Sequence, residues 1–199
     1  MSSHFGHILP YNGVIPKIAD SAFVAPTATI IGDVEIGENS NIWYGCVLRG
    51  DVNKIIIGKN SNIQDNSVIH VADMTNPIPQ KPLSDILTGY GHRPGAAYIG
   101  DFVTVGHSAL LHACYIADHA FVGMQATVLD NGVLQPYSMI GAASLLRGGM
   151  IVPSHYLWAG VPAFERRPLH EKDITNIEWS WKNYVKLAKN HCQSLKKQP

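Results

Sequence analysis

The chain has 199 residues, 46% of them hydrophobic and 15% charged, with 15 basic and 15 acidic side chains in formal balance. That length buries one ordinary core and excludes two large domains. The even balance, with no basic run beyond Lys196-Lys197, excludes an electrostatic footprint for nucleic acid or anionic lipid. Charged residues usually make up about a quarter of a soluble chain, so the shortfall points to surface hidden between copies of the chain.

Residues 1–22 read as an N-terminal segment outside the main pattern, with His4 and His7 in a loose terminus. Met1 to Lys17 has no basic stretch leading into an apolar one, and no segment reaches the roughly 20 apolar residues of a membrane span. The expectation is a cytoplasmic protein without a membrane partner. Cys46, Cys114 and Cys192 are an odd number at long spacings with no CxxC pair, which indicates neither a disulfide framework nor a thiolate zinc site.

Residues 23–165 carry an internal repeat. Stepping by six from Val24 gives Ile30, Ile36, Ile42 and Leu48, and after a three-residue insertion Ile57, Ile63 and Ile69. The pattern resumes as Ile99, Val105 and Leu111, takes one five-residue step, and runs through Ile116, Val122, Val128, Leu134, Ile140, Leu146 and Val152. The fourth residue after each anchor is small or short, as at Ala28, Ser40, Cys46, Ser61, Ser67, Ala109 and Ala126. Asn and Asp cluster nearby, which suits tight turns with left-handed residues. Six residues per step is too short for helical repeats and right for one short strand plus one turn. The result resembles the hexapeptide-repeat, left-handed parallel β-helix family. The fold class expected is therefore mainly β, a left-handed parallel β-helix of triangular coils closed by a C-terminal α-helix. Eighteen steps make about six coils, or roughly 29 Å of prism at about 4.8 Å per coil.

Two segments leave the prism. Residues 73–97, rich in Pro and Gly, read as a long loop protruding from a coil, and loops of that length are usually functional. Residues 166–199 form a C-terminal segment in which Pro168 precedes an amphipathic helix. Thr175 and Glu178 suggest its capping box, and Ile177, Trp181, Tyr184, Ala188, Cys192 and Leu195 recur at helical spacing. That stripe is read as packing against the prism or a neighbouring subunit.

Ten histidines are the unusual count. His170 and His191 flank or sit on the helix, where exposure is the default, and His119 and His155 occupy repeat turns. His70, His107 and His112 stand apart because of their register. His70 and His112 each follow an anchor by one, Ile69 and Leu111. If residues 73–97 are an excursion at a corner, the anchors Ile69, Ile99, Val105 and Leu111 lie on faces one, two, three and one. His70 and His112 then stack on adjacent coils near 4.8 Å apart, and His107 lies on another face. A threefold assembly brings face one of each subunit against face three of the next. The expectation is a three-histidine site across a trimer interface, and three imidazoles with an open fourth position are the pattern of a catalytic zinc.

At this point the chain resembles the gamma-class carbonic anhydrase family. The match is carried by Leu48-Arg49-Gly50-Asp51, by Ser61-Asn62-Ile63-Gln64-Asp65-Asn66, by Val68-Ile69-His70, and by Val105-Gly106-His107 through Leu111-His112. Phe121-Val122-Gly123-Met124 and Ala159-Gly160-Val161-Pro162-Ala163 add to it. The resemblance implies a homotrimer with His70 and His112 from one subunit and His107 from the next. It implies zinc, with iron or cobalt possible in its place. Arg49 and Asp51 match an ion pair across the interface, Gln64 a residue beside the reacting water, Asn62 a nearby polar partner, and Asp65 a carboxylate that orients a ligand. The implied reaction is attack of a metal-bound hydroxide on CO2 to give bicarbonate.

One departure bears on turnover. The archetype of the family carries a proton-moving glutamate where this chain has Val52. Asp73 is expected to stand in for a second glutamate of that shuttle, and Tyr90, His92 and Tyr156 are further replacements. The same prism also serves acyl-CoA acyltransferases and thioesterases, and a silent trimeric metal-binding protein keeps the same sequence features.

Overall fold

The computed structural model describes residues 3–73 and 94–197. Each coil is built from short strands separated by two-residue turns, and the backbone of each strand bonds in parallel to the strand one coil away. Three columns of anchors result. Val24 pairs with Ile42, then Ile63, Val105, Val122 and Ile140. Ile30 pairs with Leu48, then Ile69, Leu111, Val128 and Leu146. Ile36 pairs with Ile57, then Ile99, Ile116, Leu134 and Val152. All eighteen anchors are at most 3% exposed, because an inward side chain in so narrow a prism has only other anchors to touch.

The face assignment follows directly. Face one contains β8 (Val68–His70) and β11 (Leu110–His112), and face three contains β7 (Asn62–Ile63) and β10 (Thr104–Val105). Face two contains β9 (Ala97–Ile99) and β12 (Tyr115–Ile116). Two longer strands, β4 (Thr29–Ile36) and β6 (Val47–Ile57), run round the corner between faces one and two and join them into one sheet. The fold is a left-handed parallel β-helix of about seven turns. The turn beyond the six expected comes from the ends. His4 bridges to Val24, β1 (His7–Leu9) sets Ile8 on Ile30, and β2 (Lys17–Ile18) sets Ile18 on Ile36. His4 and His7 thus belong to an ordered coil, with His4 Nε2 3.0 Å from the carbonyl of Ala19. At the far end β19 (Tyr156–Ala159) continues face three and turns back as an antiparallel hairpin with β20 (Phe164–Pro168).

The corners hold the left-handed residues that the turns require. Asn39, Asn60, Phe102, His119, Tyr137 and His155 occupy one corner, all with φ between 54° and 64°. Their rings stack: Phe102 on His119 at 4.7 Å, His119 on Tyr137 at 4.4 Å, Tyr137 on His155 at 5.7 Å. Gly106 and Gly123 are required by close approach. A Cβ on Gly106 would lie 2.6 Å from the backbone nitrogen of Met124, and one on Gly123 2.4 Å from that of Ala142.

The excursion after face one leaves at Ala72–Asp73, and the prism is re-entered by Gly95, whose carbonyl accepts from the amide of Ala72 at 2.8 Å. Ala97, the expected end of the loop, is already in β9. Tyr90 and His92 lie outside the described residues.

Helix α1 spans Glu171–Lys196 and lies on the outside of face three, which corrects the expectation that this whole face meets face one of a neighbour and leaves for it the corner after β10 that carries His107. The expected stripe is its packing face. Trp181 meets Phe102 at 4.9 Å and Tyr184 meets Trp43 edge-on at 5.4 Å, while Ala188, Cys192 and Leu195 pack on Phe23 and Trp43. His191, expected to be exposed, packs its ring 5.0 Å from Trp43 and has Nδ1 3.0 Å from the Tyr44 hydroxyl. The start of the helix corrects the sequence reading. The capping box is formed by His170 and Asp173, one turn before Thr175. Thr175 instead donates its hydroxyl back to the Glu171 carbonyl at 2.9 Å, as a mid-helix threonine does. Among the described residues, no helix is long and apolar enough to cross a membrane.

Asp173 accepts from the His170 amide at 2.8 Å and from both terminal nitrogens of Arg167. The Arg167 hydrogen bonds hold its carboxyl down at about 2, from an ordinary 3.8. Asp173→Ala is expected to cost about 1 kcal/mol at neutral pH, measured by urea denaturation. The folded value is depressed, so the advantage is fully present above the ordinary carboxylate range and is lost as pH falls from about 3.8 toward about 2.

Candidate metal centre

Register puts His70 and His112 directly opposite one another on adjacent strands of face one. Both point outward, since Ile69 and Leu111 point in. Nδ1 of His70 lies 3.2 Å from Nε2 of His112. The remaining nitrogen of each ring is held by a carboxylate: His70 Nε2 by Asp51 Oδ1 at 3.0 Å, and His112 Nδ1 by Asp130. A carboxylate accepts, so each of those ring nitrogens carries the proton. In two neutral rings the nitrogens that face each other are then both lone pairs. Lone pairs at that distance repel unless a cation lies between them.

The separation suits a metal. Two nitrogens bound to one tetrahedral zinc at about 2.0–2.1 Å stand about 3.3–3.4 Å apart. Asp51 is itself positioned by Arg49, which pairs with it within the same chain. Burial pushes the Asp51 carboxyl up, but the hydrogen bonds from His70 and Arg49 outweigh it and hold the group below its ordinary value. The acceptor is therefore ionised at neutral pH and takes the proton of His70 Nε2 in its hydrogen bond. The thiols are not candidates as ligands here: burial pushes Cys46 and Cys114 up to about 12.

His107 lies on the turn after β10, on a different face. Asp65, one coil below it, holds its Nδ1 at 2.9 Å, and Met124 stands one coil above. The hydroxyl of Tyr184, on α1, lies 3.3 Å from His107 Nε2. Burial and the Asp65 charge push the Tyr184 phenol up, so it keeps its proton and donates to the ring nitrogen. His107 thus matches the other two histidines in having one nitrogen on a carboxylate, but its other nitrogen accepts from Tyr184 within this chain, and the phenol must yield that nitrogen for a metal to take it. Among the described residues, no three His, Cys, Asp or Glu side chains of one chain gather into a metal site.

The other candidates are placed as follows. Gln64 is 5% exposed and its Nε2 donates to Asn62 Oδ1 at 3.0 Å, next to the Asp65–His107 pair. Asp73 is exposed, three residues beyond His70. Val52 is 48% exposed, beside Asp51. Tyr156 is in β19, three strands along face three from β10, and is not brought to the histidines. Asp130 and Tyr184 were not singled out in the sequence. Register gives no signal for Asp130: it follows anchor Val128 by two, whereas His112 follows Leu111 by one, and the side chain alone brings its carboxylate onto His112.

With this geometry in place, likeness to known proteins becomes informative. Residues 15–50 match the family described as bacterial transferase hexapeptide (six repeats). The carbonic anhydrase of Geobacillus kaustophilus is 40% identical over 178 residues, 89% of this chain and 87% of that protein. The gamma carbonic anhydrase 2, mitochondrial, of Arabidopsis thaliana is 47% identical over 182 residues. The chain belongs to the gamma-class carbonic anhydrase family. It spans 92% of its own length in the plant alignment but only 60% of the plant protein. Among solved structures, a hexapeptide transferase family protein from Anaplasma phagocytophilum superposes with a TM-score of 0.80 at 44% identity, covering 92% of this chain and 97% of that one.

Membership in this family implies a metal, and the donor set fits one. Asp130→Asn keeps the shape of the acceptor but removes its charge. The substitution is expected to weaken zinc binding about 10- to 100-fold, read by competition with a chromophoric chelator.

Proposed function

We propose that the protein is a metal-dependent enzyme that reversibly hydrates carbon dioxide to bicarbonate, working as a homotrimer with its sites between subunits. His70 and His112 of one protomer and His107 of the next hold the metal, which we take to be zinc, with iron or cobalt able to occupy the same ligands. The observation that carries this reading is the pair of imidazole nitrogens facing each other 3.2 Å apart, each ring held by a carboxylate behind it. A divalent metal with an open position lowers the pKa of bound water to about 7, which supplies a nucleophile at neutral pH.

The chain's own residues do the rest. Asp51, Asp65 and Asp130 keep the three rings in the tautomer that offers a lone pair. Gln64 spends an N–H on Asn62, which turns its carbonyl oxygen away from Asn62, where it would accept a hydrogen bond from a water at the site. Carbon dioxide is small and neutral and needs no steering field, in keeping with a balanced surface. The trimeric reading is supported by apolar side chains beside each half of the site. Val68 and Leu110, 37% and 39% exposed, stack next to His70 and His112, and Met124, 54% exposed, stands over His107.

Stopped-flow CO2 hydration on purified protein of known metal content tests the reading. Zinc- or iron-loaded trimer is expected to hydrate CO2, and His112→Ala to lose both metal and activity. A fully loaded trimer without hydration would overturn the proposal. With Val52 where the archetype has its glutamate, proton export to buffer is expected to limit turnover. Accordingly kcat should rise with buffer concentration, and Val52→Glu should flatten that dependence.

A further inference from the structure

A line of buried polar side chains runs from Gln64 to the C-terminal helix. Gln64 Nε2 donates to Asn62 Oδ1 at 3.0 Å. Asn62 Nδ2 donates to the Val103 carbonyl at 3.2 Å and to Thr104 Oγ1 at 2.9 Å. Thr104 Oγ1 donates to Ser180 Oγ, on α1, at 3.0 Å. Asn62 and Thr104 are 0% and 1% exposed, and Gln64 and Ser180 are each 5% exposed. None of these groups can exchange a protein partner for water without cost.

The direction of the chain follows from its chemistry. The Val103 carbonyl only accepts, so the Asn62 amide must turn its NH2 toward it and toward Thr104. Its oxygen then faces Gln64 and can only accept, which obliges Gln64 to present its own NH2. The oxygen of Gln64 is thereby turned away from Asn62. Thr104 receives a hydrogen bond from Asn62 and passes its own proton to Ser180. The direction of the chain is thus set by the Val103 carbonyl, and the hydroxyl of Thr104, itself held by a hydroxyl of the helix, takes the second proton of the Asn62 amide. The helix face explains the choice of residue: Ser180 is one of three buried residues of α1, with Ile177 and Ala188, and it is the polar one. It sits over Thr104, in the outward column Asn41–Asn62–Thr104 of face three.

We infer that Thr104 is a positioning residue for the proposed reaction, holding Asn62 and through it Gln64, and that Ser180 couples this hold to the seating of helix α1. The inference rests on the function proposed above. It goes beyond that reading by placing two residues of the working site at the contact between helix and prism, where neither touches the metal ligands.

Thr104→Val keeps size and branching and removes the hydroxyl, leaving Asn62 with a donor that has only Val103 to satisfy it. Thr104→Ser keeps the hydroxyl. For trimers of equal metal content, Thr104→Val is expected to lower kcat/KM for CO2 about 3- to 10-fold, the worth of one hydrogen bond. The effect on kcat should be smaller, since proton export does not pass through the amide. Thr104→Ser is expected to stay within about 2-fold of the parent. A crystal structure of the metal-free Thr104→Val protein provides a readout independent of activity, with the Gln64 amide expected to leave Asn62. The inference is overturned if Gln64 keeps its place and kcat/KM is parental in Thr104→Val, or if Thr104→Ser loses as much as Thr104→Val. If the loaded parent shows no hydration, the proposed reaction fails, and the crystal structure still decides whether Thr104 holds Gln64.

Discussion

Everything in this molecule depends on the parallel backbone pairing of one coil with the next. Because each strand bonds to the strand one coil away in fixed register, a residue's offset from its anchor determines which side chains stand above and below it. His70 meets His112 because each follows an anchor by one. Asp65 meets His107 because each follows an anchor by two, on β7 and β10. The prism therefore converts sequence spacing into columns about 4.8 Å apart. Side chains that share a column are close enough to share a proton or an ion. A rigid scaffold of this kind leaves the outward positions free to carry chemistry, since the inward ones alone maintain the fold.

Much of this was legible because the repeat is strict where the core is strict. An Ile, Val or Leu is needed at every anchor, and the three faces follow by counting. The corners were legible in part: Asn39, Asn60, Asn66 and Asn131 mark left-handed turns, whereas Phe102, Tyr137 and others adopt the same conformation without that mark. The counting failed where a coil was closed without a regular step. Ile18 lies one regular step of six before Val24, but Ile8 lies ten residues before Ile18, with a bridge between Tyr11 and Val14 interposed, and their backbones pair beneath the first coil. The start of α1 was misplaced because the Thr175–Glu178 spacing satisfies the capping pattern as well as the true start does. The decision lies in Arg167, which binds Asp173 across a gap that local pattern does not span.

The site divides along the same line. The stacking of His70 on His112 was legible from register, and the carboxylate of Asp65 from resemblance. Asp130 reads in sequence as one more turn residue, and only the side-chain geometry turns it onto His112. Tyr184 and Ser180 read as parts of a packing stripe because helical spacing says which face a residue is on and nothing about what it meets there. The helix in fact brings a phenol to His107 and a hydroxyl to Thr104, so the element that covers face three also reaches the site.

The charge shortage that first pointed to hidden surface has a sharper meaning at the histidines. Of the few acidic residues in the chain, three are each committed to one imidazole, Asp51, Asp65 and Asp130, and one basic residue, Arg49, is committed to Asp51. In an assembled site of the proposed kind, three carboxylates and one guanidinium leave a formal charge of minus two around neutral ligands. A proton between His70 and His112 relieves their facing lone pairs but neutralises only half of that charge. A divalent ion answers both requirements at once, because it takes the lone pairs as ligands and balances the carboxylates behind them. In the proposed site the acids stand behind the rings and not among the ligands, where they would tune the imidazoles and leave a fourth position open.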